Sequence, residues 1–250
     1  MKFKYYIPNF VTLLNLASGV LSITAMMSCP RTSYMFLWAA AFIFIAAAFD
    51  YLDGTLARLL DARSELGKQL DSLADVVSFG VAPGIIVFNL LSANCAASCN
   101  ALDRMHITPY FALLIPVCSA IRLGKFNIDL RQIENFIGLP TPANAIFFAS
   151  IPLVIFLQPH LYSVIRLDFL VDFFSNSRVI AILTVFFSYL LISDFKIFSI
   201  KFKTTGWVEN KKSYILLISS FVLLMLFSLN ALPVIILLYL ILSLGYQRSI

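Results

Sequence analysis

The sequence predicts an all-α, polytopic transmembrane helix bundle of about eight spans, with both termini in the cytoplasm. Three observations predict it. Of 250 residues, 60% are hydrophobic and 12% charged, where a soluble domain carries about 25% charged residues. Mean hydropathy is +0.91, and the apolar residues fall in long blocks that reach the roughly 20 residues a bilayer core requires. The basic residues lie between those blocks rather than within them.

Breaking the hydropathy pattern at charges and at Gly and Pro gives helices over 9–27, 34–60, 68–93, 107–126, 140–158, 178–194, 213–229 and 231–246. The whole chain reads as one membrane domain, with a core over 1–195 and a C-terminal hairpin over 213–246. Met1 to Ala25 has the charges of a signal peptide, in Lys2 and Lys4. No small-x-small cleavage site follows, however, and Asn9, Thr12 and Asn15 interrupt the apolar run, so the segment is expected to stay as the first helix. The second and third helices exceed a single span and carry charges near one end, so both should project from the hydrocarbon there. The last two are separated only by Leu229, Asn230 and Ala231, which predicts a tight helical hairpin.

Orientation follows from the positive-inside rule. With the N-terminus in the cytoplasm, Lys2, Lys4, Arg58, Arg63, Lys68, Arg122, Lys125, Arg131, Lys196, Lys201, Lys203, Lys211, Lys212 and Arg248 lie inside. Only Arg31, Arg104, Arg166 and Arg178 lie outside. Attraction to an anionic leaflet accounts for the net charge of +5. No basic run interleaves with aromatics as a nucleic-acid track would require, so nucleic acid is excluded as a partner. Cys29, Cys95 and Cys99 fall in exterior loops, where a disulfide depends on the redox state outside. Cys118 falls within a span, and His106 and His160 sit at exterior helix ends.

The chemistry concentrates where the second helix ends and the third begins. Asp50, Asp53, Gly54 and Ala57 are spaced i, i+3, i+4, i+7 and share one helical face; Gly67, Asp71 and Asp75 share a face of the next helix. A turn over Asp61 to Leu66 would direct four carboxylates into one small volume near the membrane surface. Each acidic residue in a span costs roughly 2.5–3.5 kcal/mol, and Arg58 supplies only one nearby positive charge. Hard divalent cations, Mg²⁺ or Mn²⁺, would relieve both burial and repulsion, and two-metal sites serve phosphoryl chemistry. Gly54 and Ala57, and Gly67 opposite them, would let a flat nucleotide or a diphosphate approach the backbone closely. The competing structural account is a solvated helix end whose small residues serve helix packing.

The spacing of Asp50, Asp53, Gly54, Ala57, Arg58, Gly67, Asp71 and Asp75 matches D-x2-D-G-x2-A-R-x8-G-x3-D-x3-D at every fixed position. By this signature the chain resembles the CDP-alcohol phosphotransferase family. Three further stretches resemble its bacterial and archaeal phosphatidylserine synthase branch: Pro8 and Asn9 with Thr12, Asn15 and Gly19; Ser78 through Gly84; and Gly138 through Ala143. Arg122-Leu123-Gly124-Lys125-Phe126-Asn127 is similar to that branch's Arg-Leu-x-Arg-Phe-Asn. Lys125 keeps the charge of the usual arginine but loses its bidentate fork.

The resemblance implies transfer of a phosphatidyl group from CDP-diacylglycerol to L-serine, giving phosphatidylserine and CMP. It implies that Asp50, Asp53, Asp71 and Asp75 hold two divalent ions, with Asp75 also the general base. Gly54, Ala57 and Gly67 would face the nucleotide, and Arg58 would orient phosphate. Arg122 and Lys125 are expected to bind the acceptor carboxylate and a lipid phosphate, unless they serve only as a positive-inside anchor. A homodimer in the inner membrane, with its site facing the cytoplasm, completes the expectation. The alternatives are a sibling enzyme using glycerol-3-phosphate or inositol phosphate, and a carboxylate-lined ion transporter. The clustering of the aspartates toward one surface disfavours the transporter.

Overall fold

A computed structural model describes residues 3–28, 32–98, 107–128, 136–157, 168–197 and 207–247. Helix α1 spans Phe3–Met27 and α2 spans Ser33–Leu59. The first starts earlier than the expected residue 9, with Pro8 inside it. Pro8 is the sixth residue of the helix, so it removes one backbone hydrogen bond, the one its missing N–H would make to the Lys4 carbonyl. Helix α2 buries Phe36, Ala39, Ala40, Ile43 and Ala46, a spacing that traces one helical face. The small alanines let α1 come close, and Ser22 Oγ donates to the Ala39 carbonyl at 2.8 Å.

After α2 the chain turns at Asp61, whose φ of +44° is a left-handed geometry that Asp tolerates better than most residues. The Ala62 N–H closes the turn onto the Ala57 carbonyl at 2.9 Å. Ser64 then caps the next helix by accepting from the Gly67 N–H at 3.0 Å. That helix runs on in three parts: α3 (Glu65–Asp75), a π-helical segment (Val76–Val81) and α4 (Ala82–Ser98). Plain helix was expected over 68–93. The widened turn directly precedes Pro83, which has no N–H and whose ring collides with the carbonyl four residues back in a regular helix. There the Ala82 N–H reaches the Val77 carbonyl instead. Neighbouring helices also cross at this segment. A Cβ at Gly19 of α1 would stand 2.7 Å from Ser78 Cα, and one at Gly80 would stand 3.2 Å from Ser119 Cβ.

A 3-10 turn (Thr108–Leu113) leads into α5 (Leu114–Ile128), and α6 (Thr141–Pro152) continues as a π turn through Leu157. Helices α7 (Asp168–Ser175) and α8 (Ser177–Ile192) meet at a 79° bend, where Asn176 caps α8 by accepting from the Arg178 N–H. Only the longer member of this pair was expected, over 178–194, because an eight-residue helix set at an angle leaves no span-length apolar block. Two-residue strands β1 (Phe136–Ile137) and β2 (Lys196–Ile197) pair antiparallel. Gly138 follows at φ +78°, and its N–H donates to the Phe195 carbonyl at 2.8 Å. This contact fixes the start of α6 beside the end of α8. Phe147 of α6 stacks on Phe187 of α8 at 4.0 Å between ring centroids, and Phe148 and Phe174 complete a buried aromatic core.

Helices α9 (Trp207–Phe227) and α10 (Leu232–Gln247) join through a 3-10 turn at Ser228–Ala231, with Ser228 at φ +54°. Among the described residues, five helices are long and apolar enough to cross a membrane, or six if the bent α7–α8 pair forms one span. Eight were expected. Thr141–Leu157 is apolar but short, α7 and α8 reach span length only together, and the apolar run Ser213–Ser243 holds both α9 and α10, which touch each other past their 3-10 turn. Cys29, Cys99, His106 and His160 lie outside the described residues, as does the side chain of Cys95. Cys118 is a buried free thiol.

The crossing at Gly19 yields a stability prediction. Gly19→Ala places a methyl against the backbone of Ser78 and should cost about 1–3 kcal/mol by overpacking. Thermal unfolding of the purified variant in detergent measures it, and a melting temperature equal to that of the parent protein would refute the close crossing.

Candidate active site

The helical spacing of the four aspartates becomes a three-dimensional cluster because the turn at Asp61 folds α3 back toward α2, with α1 packed against both. Carboxylate oxygens of Asp50, Asp53 and Asp71 all lie within 4.8 Å of one another. Asp50 and Asp71 are half-buried, whereas Asp53 and Asp75 are 6% and 7% exposed. A cleft of about 530 Å³ opens onto Asp53 and Asp71. Asp50 and Asp75 sit one helical turn further along their helices, away from the connecting turn.

Two like charges about 4 Å apart repel by roughly 4 kcal/mol in a protein-like medium. Among the described residues no lysine or arginine forms an ion pair with any of the four. Arg122 of α5 is within electrostatic reach of Asp75, but one cation cannot balance four carboxylates. Oxygen donors from two helices, converging with unbalanced negative charge, fit a hard divalent cation. Asp50, Asp53 and Asp71 are the residues placed to hold it.

The first helix contributes what the sequence reading left unassigned. Thr12 Oγ1 lies 2.6 Å from Asp53 Oδ2, as a donor, and 3.1 Å from the Pro8 carbonyl. Asn15 Nδ2 donates to Asp75 Oδ1 at 3.2 Å. Thr12 and Asn15 are three residues apart and so share a face of α1. Each therefore holds one carboxylate, one on α2 and one at the end of α3. Asn15 is fully buried, and its Oδ1 has no partner among the described residues. A hydrogen bond to a charged group contributes about 1.5–3 kcal/mol, while an unsatisfied buried acceptor costs about 1–3 kcal/mol. Stability alone therefore gives little reason for an amide here. The signal was present in the sequence, since polar residues three apart in an apolar helix mark an inward face.

The small residues divide in purpose. A Cβ at Gly54 would meet nothing closer than Arg58 Nη1 at 3.9 Å, so this position leaves room at the cleft. Ala57 also lines the cleft. Gly67 lines it too, but a Cβ there would stand 2.9 Å from Asn9 Oδ1 and 3.0 Å from Ser64 Oγ. Its smallness serves the packing of α1 against α3 as well as access. Arg58 is exposed, donates to Thr55 Oγ1 at 3.2 Å, and does not line the cleft. Arg63 and Lys68 do line it, adding basic side chains that the motif reading passed over.

Arg122 and Lys125 part company. Arg122 is buried, its Nε is without a partner among the described residues, and it lies within electrostatic reach of both Asp75 and Tyr239 of α10. Lys125 is exposed. Asn127, the last residue of the same motif, ties α5 to α3: its Nδ2 donates to Ser72 Oγ at 2.8 Å, and its carbonyl accepts from Lys68 Nζ at 3.3 Å.

Known proteins are similar to this chain over most of its bundle. A family model described as CDP-alcohol phosphatidyltransferase matches residues 5–189. A Bacillus subtilis protein named CDP-diacylglycerol–serine O-phosphatidyltransferase is 32% identical over 195 residues, covering 76% of this chain and 89% of that protein. A Methanocaldococcus jannaschii protein of the same name is 34% identical over 144 residues, covering 58% of this chain and 59% of its own. The archaetidylserine synthase of Methanothermobacter thermautotrophicus is 34% identical over 147 residues, covering 58% and 56%. The two archaeal alignments thus span less than two thirds of those proteins. The matched region runs from α1 into α8 and contains the whole carboxylate cluster with its cleft; the chain belongs to the CDP-alcohol phosphatidyltransferase family.

Proposed function

We propose that this chain transfers the phosphatidyl group of CDP-diacylglycerol to L-serine, releasing CMP, at a site on the cytoplasmic side of the inner membrane. The observation that carries the reading is the convergence of Asp50, Asp53 and Asp71, the last two of which line the cleft. The relatives' names support serine as acceptor, and the resemblance supports two cations, Mg²⁺ or Mn²⁺, and a homodimer. The cleft is also lined by the turn residues Ala62 to Glu65. It is thus reached from the helix ends rather than from the middle of a span, which favours an enzyme over a transporter.

Each group has a task in this reading. Gly54 and Ala57 leave space for the nucleotide, and Arg63 and Lys68 at the cleft wall attract the diphosphate, with Arg58 beside them. Divalent cations held by Asp50, Asp53 and Asp71 would neutralise charge on the diphosphate as CMP departs. Asp75 accepts the proton of the serine hydroxyl. The serine oxygen forms a bond to the lipid-bearing phosphorus, and the bond from that phosphorus to CMP breaks, its electron pair leaving on CMP. Arg122, buried near Asp75, receives the acceptor carboxylate; Lys125, exposed at the end of α5, meets a lipid phosphate.

Three outcomes test this reading. CMP release from CDP-diacylglycerol should require L-serine, and Asp75→Asn should lower it by about 10²–10⁴-fold; equal turnover without serine, or with a phosphorylated alcohol instead, would reassign the acceptor. Arg122→Gln should raise the serine KM about 10-fold or more, the worth of one charged hydrogen bond, and Lys125→Gln should leave it unchanged. Mn²⁺ at about 100 times its Kd should stabilise the protein by about 2.7 kcal/mol, and Asp71→Asn should abolish that shift in thermal unfolding.

A further inference from the structure

Asp75 is the last residue of α3, directly before the helix widens into the π segment. Its carboxylate is buried, and among the described residues Asn15 is the one side chain that donates a hydrogen bond to it. A carboxylate only accepts, so the contact places the amide nitrogen toward Asp75 and the amide oxygen away from it. That oxygen is buried without a partner among the described residues. Leucine would fill similar space without stranding a polar atom, which leaves orientation of Asp75 as the service the amide performs.

We propose that Asn15 is a positioning residue for proton transfer. By holding Oδ1 of Asp75, it turns Oδ2 toward the hydroxyl of the acceptor. The proton then passes from that hydroxyl to Oδ2 as the acceptor oxygen bonds to phosphorus and CMP leaves with the electron pair of the broken bond. Thr12 performs the corresponding service for Asp53, whose Oδ2 it holds. The inference rests on the reading of Asp75 as the base given above.

Steady-state kinetics of the full chain, with CDP-diacylglycerol, L-serine and Mn²⁺ in mixed micelles, test it. Asn15→Ala should lower kcat about 10- to 100-fold, the usual range for a residue that orients a site group, with both KM values within about threefold of the parent. Asn15→Asp, which keeps the volume but cannot donate when ionised, should fall at least as far. Asn15→Gln, which returns the amide on a longer stem, should recover part of the loss. If Asn15→Ala does not fold, Asn15→Asp decides. A kcat near the parent value in either, a loss confined to KM, or Asn15→Gln no better than Asn15→Ala would overturn the proposal. Asp75→Asn separates the two readings: if that variant stays active the base assignment fails, whereas an inactive Asp75→Asn beside fully active Asn15 variants removes only the role of Asn15.

Discussion

Mutual repulsion among Asp50, Asp53, Asp71 and Asp75 is the constraint around which this bundle is organised. Four carboxylates brought together in a largely apolar protein store unfavourable energy unless something compensates it. The chain compensates with neutral donors on its own side, Thr12 and Asn15, and leaves the balance of charge to cations. That division suits a transferase. A site already neutralised by lysines would have little affinity for the metal, and its anionic diphosphate would gain nothing from joining it.

The surrounding architecture serves this cluster. Helix α1 lies against α2, α3 and the π segment, touching both carboxylate-bearing helices at once. Its close approach depends on Gly19 at one level and on Gly67 of the partner helix at another. Asn127 secures the far side by linking α5 to α3, and Gly138 secures α6 against the end of α8. Behind the site, Tyr239 on α10 comes within electrostatic reach of Arg122. The C-terminal helix, whose sequence carries no charge through its apolar core, thereby contributes a polar group to the surroundings of Arg122.

What was legible in the sequence was whatever helical periodicity encodes. The i, i+3, i+4, i+7 spacing of Asp50, Asp53, Gly54 and Ala57 put them on one face before any coordinates, and the intervening turn was short enough to force α2 and α3 together. Contacts between distant segments were not legible. Thr12 meets Asp53 across 41 residues and Asn15 meets Asp75 across 60, and no local pattern states such a pairing. Nor does hydropathy register a π segment, since one extra residue in a turn leaves the apolar run intact. Asn230 illustrates the same limit: it reads as part of an exposed connection between the last two helices, yet it is buried within their 3-10 turn.

The π segment has a consequence for how such a helix tolerates change. Each residue of a regular α-helix advances the side-chain direction by about 100°, so losing one residue between Val76 and Val81 would re-phase everything beyond it. The wide turn works as a vernier between two rulers: the acidic half is read against α1, the apolar half against α2, α6 and α8 as well. Sequence drift in the apolar half can therefore proceed without rotating the acidic half, provided the length of the join stays constant.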